Sequence, residues 1–215
     1  SELAVLLTVY GYNDYTSRLY YMTDGSTSVA KIVPSLGVQV GETQVYSGNA
    51  DNVFGWYDED TPTVMFDAEN HKLTLNKANI SGIIRSSLPN LTIELVGNNS
   101  ISAGGDRTLQ AGSPVNMTIQ STAGNGCLNM HKTYSSELGN FVDDNVNLTI
   151  TSPLSVISGD LTSDETENHY YATIGVNYDL WISGTRVTSA NASNIWDGTD
   201  FEFDATASTL YYRSG

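Results

Sequence analysis

Apolar residues along this chain fall in alternating runs of about four to eight positions bounded by Gly, Asn, Asp, Ser and Pro, while the spacing of an amphipathic helix is almost absent. Alternation turns one row of side chains inward and the next outward, so the pattern predicts an all-β protein. In the first 35 residues "LLTVYGY" and "RLYYMTDGSTSVAKIV" read as strands, and Asp24-Gly25 reads as a hairpin turn because both residues tolerate positive φ. Residues 1–35 are therefore expected to form an antiparallel N-terminal β cap.

A short motif recurs in the middle of the chain: "KLTL" at 72–75, "NLTI" at 90–93, "NMTI" at 116–119 and "NLTI" at 147–150. Each copy alternates an inward apolar residue with an outward Thr and is followed by a turn cluster and a second apolar stretch. Coils that each contribute the same strand and accept insertions at their corners have this signature. The expectation is a short right-handed parallel β-helix over 63–160, with Leu73, Leu91, Met117 and Leu148 in one interior row. An antiparallel β-sandwich is the alternative. It is disfavoured because the copies lie too far apart for simple hairpins.

A longer repeat frames the motif. Shifting by 142 residues superimposes Gln44, Val45, Ser47, Asn49, Asn52 and Val53 on Arg186, Val187, Ser189, Asn191, Asn194 and Ile195. A shift of 137 superimposes Phe66, Asp67, Ala68 and Leu73 on Phe203, Asp204, Ala205 and Leu210. The chain thus divides into a first unit at 36–177 and a partial second unit at 178–215, which is either a C-terminal cap or a unit cut short.

Composition narrows the function classes. Nine Lys and Arg face 24 Asp and Glu, a formal net charge of −15, which argues against nucleic acid because phosphate neutralisation needs a basic face. No run of about 18 apolar residues offers a transmembrane segment. Cys127 is the single cysteine, so no intrachain disulfide forms, and "GNGCLNM" holds no basic residue to stabilise a thiolate. It is expected to be a small buried hydrophobe.

Catalytic signatures are lacking. Glycoside hydrolysis needs two carboxyl groups facing each other across the scissile bond, yet the adjacent Asp143 and Asp144 read as a solvated turn before "NLTI". A β-elimination lyase needs a basic residue beside a Ca²⁺-bound uronate, and Arg85, Arg107, Lys77 and Lys132 have no cluster of acidic residues within one strand's reach. His71, His131 and His169 show no metal-ligand spacing. No catalytic residue and no cofactor are assigned. Calcium is the one ion the acidic clusters at 58–60 and 163–168 could hold, with Asp58 and Asp60 as candidate ligands.

Aromatic residues give the better lead, since exposed rings stack on sugar C–H faces while carboxylates bond the hydroxyls. Trp56 and Tyr57 adjoin the acidic loop and have no aromatic counterparts in the second unit. In "YDLWI", Tyr178, Leu180 and Ile182 share one strand face, which places Trp181 on the other with Asp179. The counterpart of Trp181 is Gln39, so packing of the repeat does not require a ring there. Burial beneath Tyr170, Tyr171 and Tyr211 is the competing expectation.

"YDLWISGTRVTSANASNI" with "FDATASTL", and "KLTLNKANISG" with "NLTIELVGNNSI", resemble the repeat of secreted bacterial surface proteins described as carbohydrate-binding-domain-containing, with β-helix type repeats. The resemblance covers about 36–160 and 178–212. It implies a secreted or cell-surface location, a polysaccharide or surface glycan as partner, cell adhesion as a role, and further repeats or an anchor beyond this sequence. The chain opens "SELAVLL" with neither an initiator Met nor a charged leader, so an export signal is expected to have been removed. Two rival functions remain: a polysaccharide lyase or glycoside hydrolase on a β-helix scaffold, and a structural spacer of a surface repeat protein.

Overall fold

The computed structural model describes residues 17–23, 28–55, 62–104, 107–132, 140–162, 171–195 and 201–212. The expected turn at Asp24-Gly25 lies outside them. The described chain is all-β, and its strands form several mixed sheets. In chain order they are β1 (Ser17–Thr23), β2 (Ser28–Val40), β3 (Thr43–Tyr46), β4 (Val64–Asp67), β5 (Lys72–Asn76) and β6 (Asn79–Ser81). Next come β7 (Ile84–Ser86), β8 (Asn90–Val96), β9 (Asn98–Ala103), β10 (Leu109–Ala111), β11 (Val115–Gln120) and β12 (Cys127–Lys132). The last six are β13 (Val146–Ile150), β14 (Leu154–Gly159), β15 (Tyr171–Ile182), β16 (Thr185–Thr188), β17 (Phe201–Asp204) and β18 (Thr209–Tyr212).

The four motif copies lie side by side in one sheet. β5, β8, β11 and β13 run parallel, and β4 closes the near edge antiparallel to β5. The following segments repeat the arrangement. β6, β9 and β12 are parallel in a second sheet, β7 and β10 in a third. Strands from successive stretches of chain therefore land on their predecessors in the same order. Antiparallel strands flank this stack: β2 pairs with β1, β3 and β7, while β15 lies between β12 and β14. Sequence drew the boundary between the two units at 177, and it falls inside β15, whose first half belongs to the second sheet.

Burial follows the alternation. β5 buries Leu73 and Leu75 while Lys72, Thr74 and Asn76 remain half-exposed, and β11 repeats the scheme with Val115, Met117 and Ile119 inside. These side chains join Val38, Val40, Val64, Phe66, Ile80, Ile84, Ile101 and Ile174 in a single core. Each fully buried branched side chain contributes roughly 1.5–3 kcal/mol relative to exposure.

One predicted row is corrected. Leu91, Met117 and Leu148 are register partners, but Leu73 pairs with Ile93 and so belongs to the neighbouring row with Ile119 and Ile150. The corner decides the alignment rather than the motif. Lys77, at φ 53°, follows Asn76, which pairs with Val96, so it stacks over Gly97 at φ 63°, and its N–H donates to the Val96 carbonyl at 3.0 Å. Aligning the two left-handed corner residues slides "KLTL" by two positions against "NLTI". A two-residue shift keeps every apolar side chain inward, so it costs no burial.

The corners also determine where polar groups go. Asn99, 1% exposed, accepts from the Ala78 N–H at 2.8 Å and donates to the carbonyls of Gly97 at 3.0 Å and Cys127 at 3.1 Å, tying together the segments that lead into β6, β9 and β12. Outside, Asn147 donates to Asn116 at 2.9 Å and Asn116 to Asn90 at 3.0 Å, forming an asparagine ladder in water. Removing a side chain that satisfies buried backbone groups costs the desolvation of each orphan, roughly 1–3 kcal/mol apiece. Asn99→Ala is accordingly expected to destabilise the chain by about 3 kcal/mol, and Asn116→Ala by under about 1 kcal/mol, in urea unfolding curves. Equal effects would show that the buried corner bonds carry no special weight.

Candidate functional site

The second unit repeats the turn hydrogen bonds of the first. Asn49 accepts from the Tyr46 N–H at 2.8 Å and donates to the Gln44 carbonyl at 3.1 Å; Asn191 accepts from the Thr188 N–H at 2.7 Å and donates to the Arg186 carbonyl at 3.0 Å. Phe66 N–H meets the Ala50 carbonyl at 2.7 Å, and Phe203 N–H meets the Ala192 carbonyl at 2.7 Å. Asp67 caps the N–H groups of Glu69 and Asn70 as Asp204 caps those of Thr206 and Ala207. The turns end on matching left-handed residues, His71 at φ 48° and Ser208 at φ 50°. Asp67 gains a further bond from the Asn70 side chain at 2.6 Å, which pulls its carboxyl below the ordinary range.

Identical wiring meets different surroundings. Ser47 is exposed, whereas its counterpart Ser189 is buried, accepting from the Val176 N–H at 2.8 Å and donating to the Gly126 carbonyl at 2.8 Å. This hydroxyl fastens the second unit to the backbone just before β12. Tyr178 adds to the seam, with its hydroxyl donating to the Gly124 carbonyl at 3.1 Å and its ring centroid 5.0 Å from that of Phe203. Burial pushes the Tyr178 phenol up.

Trp181 stands on the outward face. It is 59% exposed, Asp179 is also exposed, and the alternating Tyr178, Leu180 and Ile182 are half-buried. Tyr171 and Tyr211 are themselves exposed and leave the ring uncovered, and Tyr170 lies outside the described residues. Arg186, the cross-strand partner of Trp181, holds its guanidinium carbon 5.9 Å from the ring centroid. A ring, a carboxylate and a guanidinium thus share one solvent-facing patch. A separate cleft of about 620 Å³ is lined by Lys77, Asn98 and Asn125 together with Glu202, Tyr211 and Tyr212 of the β17–β18 hairpin.

Trp56, Tyr57, Asp58 and Asp60 lie outside the described residues, as does the acidic cluster at 163–168. Among the described residues no group of three or more His, Cys, Asp or Glu could hold a metal ion, and no helix is long and apolar enough to cross a membrane.

The basic residues considered for lyase chemistry are mostly engaged. Arg85 bonds the Gln110 side chain, and Lys132 is buried, donating to the Asn140 carbonyl at 2.9 Å with its ammonium 4.8 Å from the Phe141 ring centroid. Burial lowers the pKa of that ammonium. Arg107 departs from the sequence expectation: tertiary contact places it 3.3 Å from Asp143 and 3.2 Å from Asp144, residues 36 and 37 positions away. An exposed pair of this kind contributes little stability. Its effect is to clamp the turn before β13.

Cys127 is fully buried, and desolvation pushes its thiol up to about 11, although Ser189 and Asn129 oppose the rise. No family model, no curated protein and no solved structure matches this chain.

The thiol generates a prediction. Its folded pKa exceeds the ordinary value of 9.0, so the neutral form favours the folded state; the stabilisation is complete below pH 9 and is lost as pH rises through about 11. Cys127→Ala should therefore flatten the decline of unfolding free energy across that window relative to the parent chain. A thiol reagent at pH 8 should label the parent only on unfolding. Rapid labelling of the folded chain would contradict the burial.

Proposed function

We propose that this chain is a non-enzymatic glycan-binding or adhesion module of a secreted or cell-surface protein, built as a short right-handed parallel β-helix. The parallel stacking of β5, β8, β11 and β13, and the same succession in the other two sheets, support the solenoid reading. The resemblance of the repeat to secreted surface proteins supports the location.

The observation that carries the binding reading is Trp181. A ring 59% exposed, on the same strand face as the exposed Asp179 and flanked by Arg186, occupies a repeat position that Gln39 fills in the first unit. An exposed indole offers a flat apolar face that a partner can cover. A sugar ring matches the patch: its C–H face stacks on the indole while the carboxylate and guanidinium bond its hydroxyls.

A glycan array on the purified chain identifies the ligand, and titration of that glycan against Trp181→Ala tests the platform. Loss of a stacked ring should weaken binding by about 1–3 kcal/mol while the melting temperature stays unchanged. A large drop in melting temperature, with no glycan bound by the parent chain, would return Trp181 to a packing role.

A further inference from the structure

A row of polar side chains crosses the third sheet of the first unit. Gln39 is the register partner of Gln44 on one side and of Arg85 on the other, and Arg85 is in turn the partner of Gln110. The repeat places Trp181 and Arg186 where Gln39 and Gln44 stand, and these two are register partners in the same way. The hairpin thus accepts either pair, so its turn does not dictate the two glutamines.

A pocket of about 290 Å³ opens along this row, lined by Gln39, Gln44, Arg85, Ser87 and Ser113. An irregularity in the backbone makes the space. Gly37, at φ 78°, lies where the β2–β3 register shifts between Ser35 and Gln39, and its carbonyl accepts from the Ser87 N–H at 2.8 Å. A Cβ there would stand 3.0 Å from Ser87 Oγ and Leu88 Cδ2, so the position favours glycine on two counts. Each wall residue lies within one of the continuous stretches 28–55, 62–104 and 107–132, and none belongs to the last hairpin.

The polar groups on these walls are unevenly satisfied. Gln44, 7% exposed, donates its amide to Ser35 Oγ at 2.7 Å and to the Val38 carbonyl at 2.5 Å, while no donor among the described residues reaches its side-chain oxygen. Gln39 donates to the Gly41 carbonyl at 2.9 Å, and its oxygen likewise meets no described donor. A buried acceptor without a donor is unfavourable, so these oxygens call for a group that carries O–H or N–H. Arg85 is oriented by Gln110, 9% exposed, whose side-chain oxygen accepts from Nε at 3.1 Å and from Nη2. No acidic residue lines the pocket, although the chain carries a net charge of −15. We propose that the pocket binds a sugar acid, its carboxylate on the Arg85 guanidinium and the exposed Ser87 and Ser113 hydroxyls, its own hydroxyls donating to the Gln39 and Gln44 oxygens. Neighbouring strands lie about 4.8 Å apart, so Arg85, Gln39 and Gln44 span roughly 10 Å, the reach of one sugar ring with a hydrogen bond at either end. The site is separate from the Trp181 patch and does not depend on it.

Glucuronate serves as the probe, titrated against the whole chain by calorimetry and by NMR, with glucose and acetate as controls. A Kd of about 0.1–1 mM is expected, rising with salt, together with shifts of the Gln44 side-chain amide and the Arg85 Nε–H. Glucose lacks the carboxylate and acetate lacks the hydroxyls, so each should bind at least about tenfold more weakly. Ser113→Asp sets a carboxylate on the exposed rim and leaves the core intact, while Arg85→Gln removes the guanidinium; both should weaken glucuronate binding at least about tenfold. Trp181→Ala should leave glucuronate affinity unchanged, so failure of the glycan platform and failure of this pocket are told apart. The proposal is overturned by no heat and no shift up to about 10 mM glucuronate, by glucose or acetate binding as tightly as glucuronate, or by full binding in both pocket variants.

Discussion

Parallel pairing between strands distant in sequence is the constraint on which the rest of the structure depends. Parallel neighbours cannot be joined by a tight turn, so every rung of the β5, β8, β11 and β13 ladder is reached only after the chain has crossed the other sheets. The first two crossings place β6 and β7, then β9 and β10, in the second and third sheets, whereas the third places β12 in the second sheet and, among the described residues, no strand in the third. The corners between strands absorb differences in length. The copies of the motif are therefore free to start 18, 26 and 31 residues apart without disturbing the stack. What cannot vary is the corner itself. Lys77 over Gly97 and the Asn99 side chain set the height at which one coil meets the next.

Around that stack the chain uses one hairpin-and-turn device twice, to different ends. The turn bonds of Asn49 and Asn191, and of Asp67 and Asp204, are local and recur wherever the local sequence recurs. Burial is not local. Leu73 disappears under β8 while Leu210 remains at the surface, although both sit opposite a phenylalanine in the same kind of hairpin. Ser189 shows the converse, a hydroxyl buried at the seam whose counterpart Ser47 faces solvent.

The acidic surface and the engaged cations fit together. Arg107 is spent on Asp143 and Asp144, Arg85 on Gln110, and Lys132 on the Asn140 carbonyl and the Phe141 ring. Of the basic residues first considered for catalysis, Lys77 is the one that lines the cleft, and it faces amides and tyrosines together with Glu202. That wall mixes amide, carboxylate and aromatic groups. The Trp181 patch has the same character, with one ring and two charges open to water.

The sequence by itself determined the β class, the inward and outward alternation, the parallel kinship of the four motif copies, the duplicated unit, the burial of Cys127 and the outward face of Trp181. All of these follow from period-two patterning or from turns whose bonds span a few residues. Tertiary structure alone decided that Leu73 joins the Ile93 row, that β15 slips between β12 and β14, that Arg107 finds two aspartates, and that Leu210 stays exposed where its counterpart Leu73 is buried. The reason is common to all four. A shift of two residues, or the loss of a neighbour, leaves the local pattern of apolar and polar positions unchanged, so only the contact between distant segments distinguishes a covered face from a bare one.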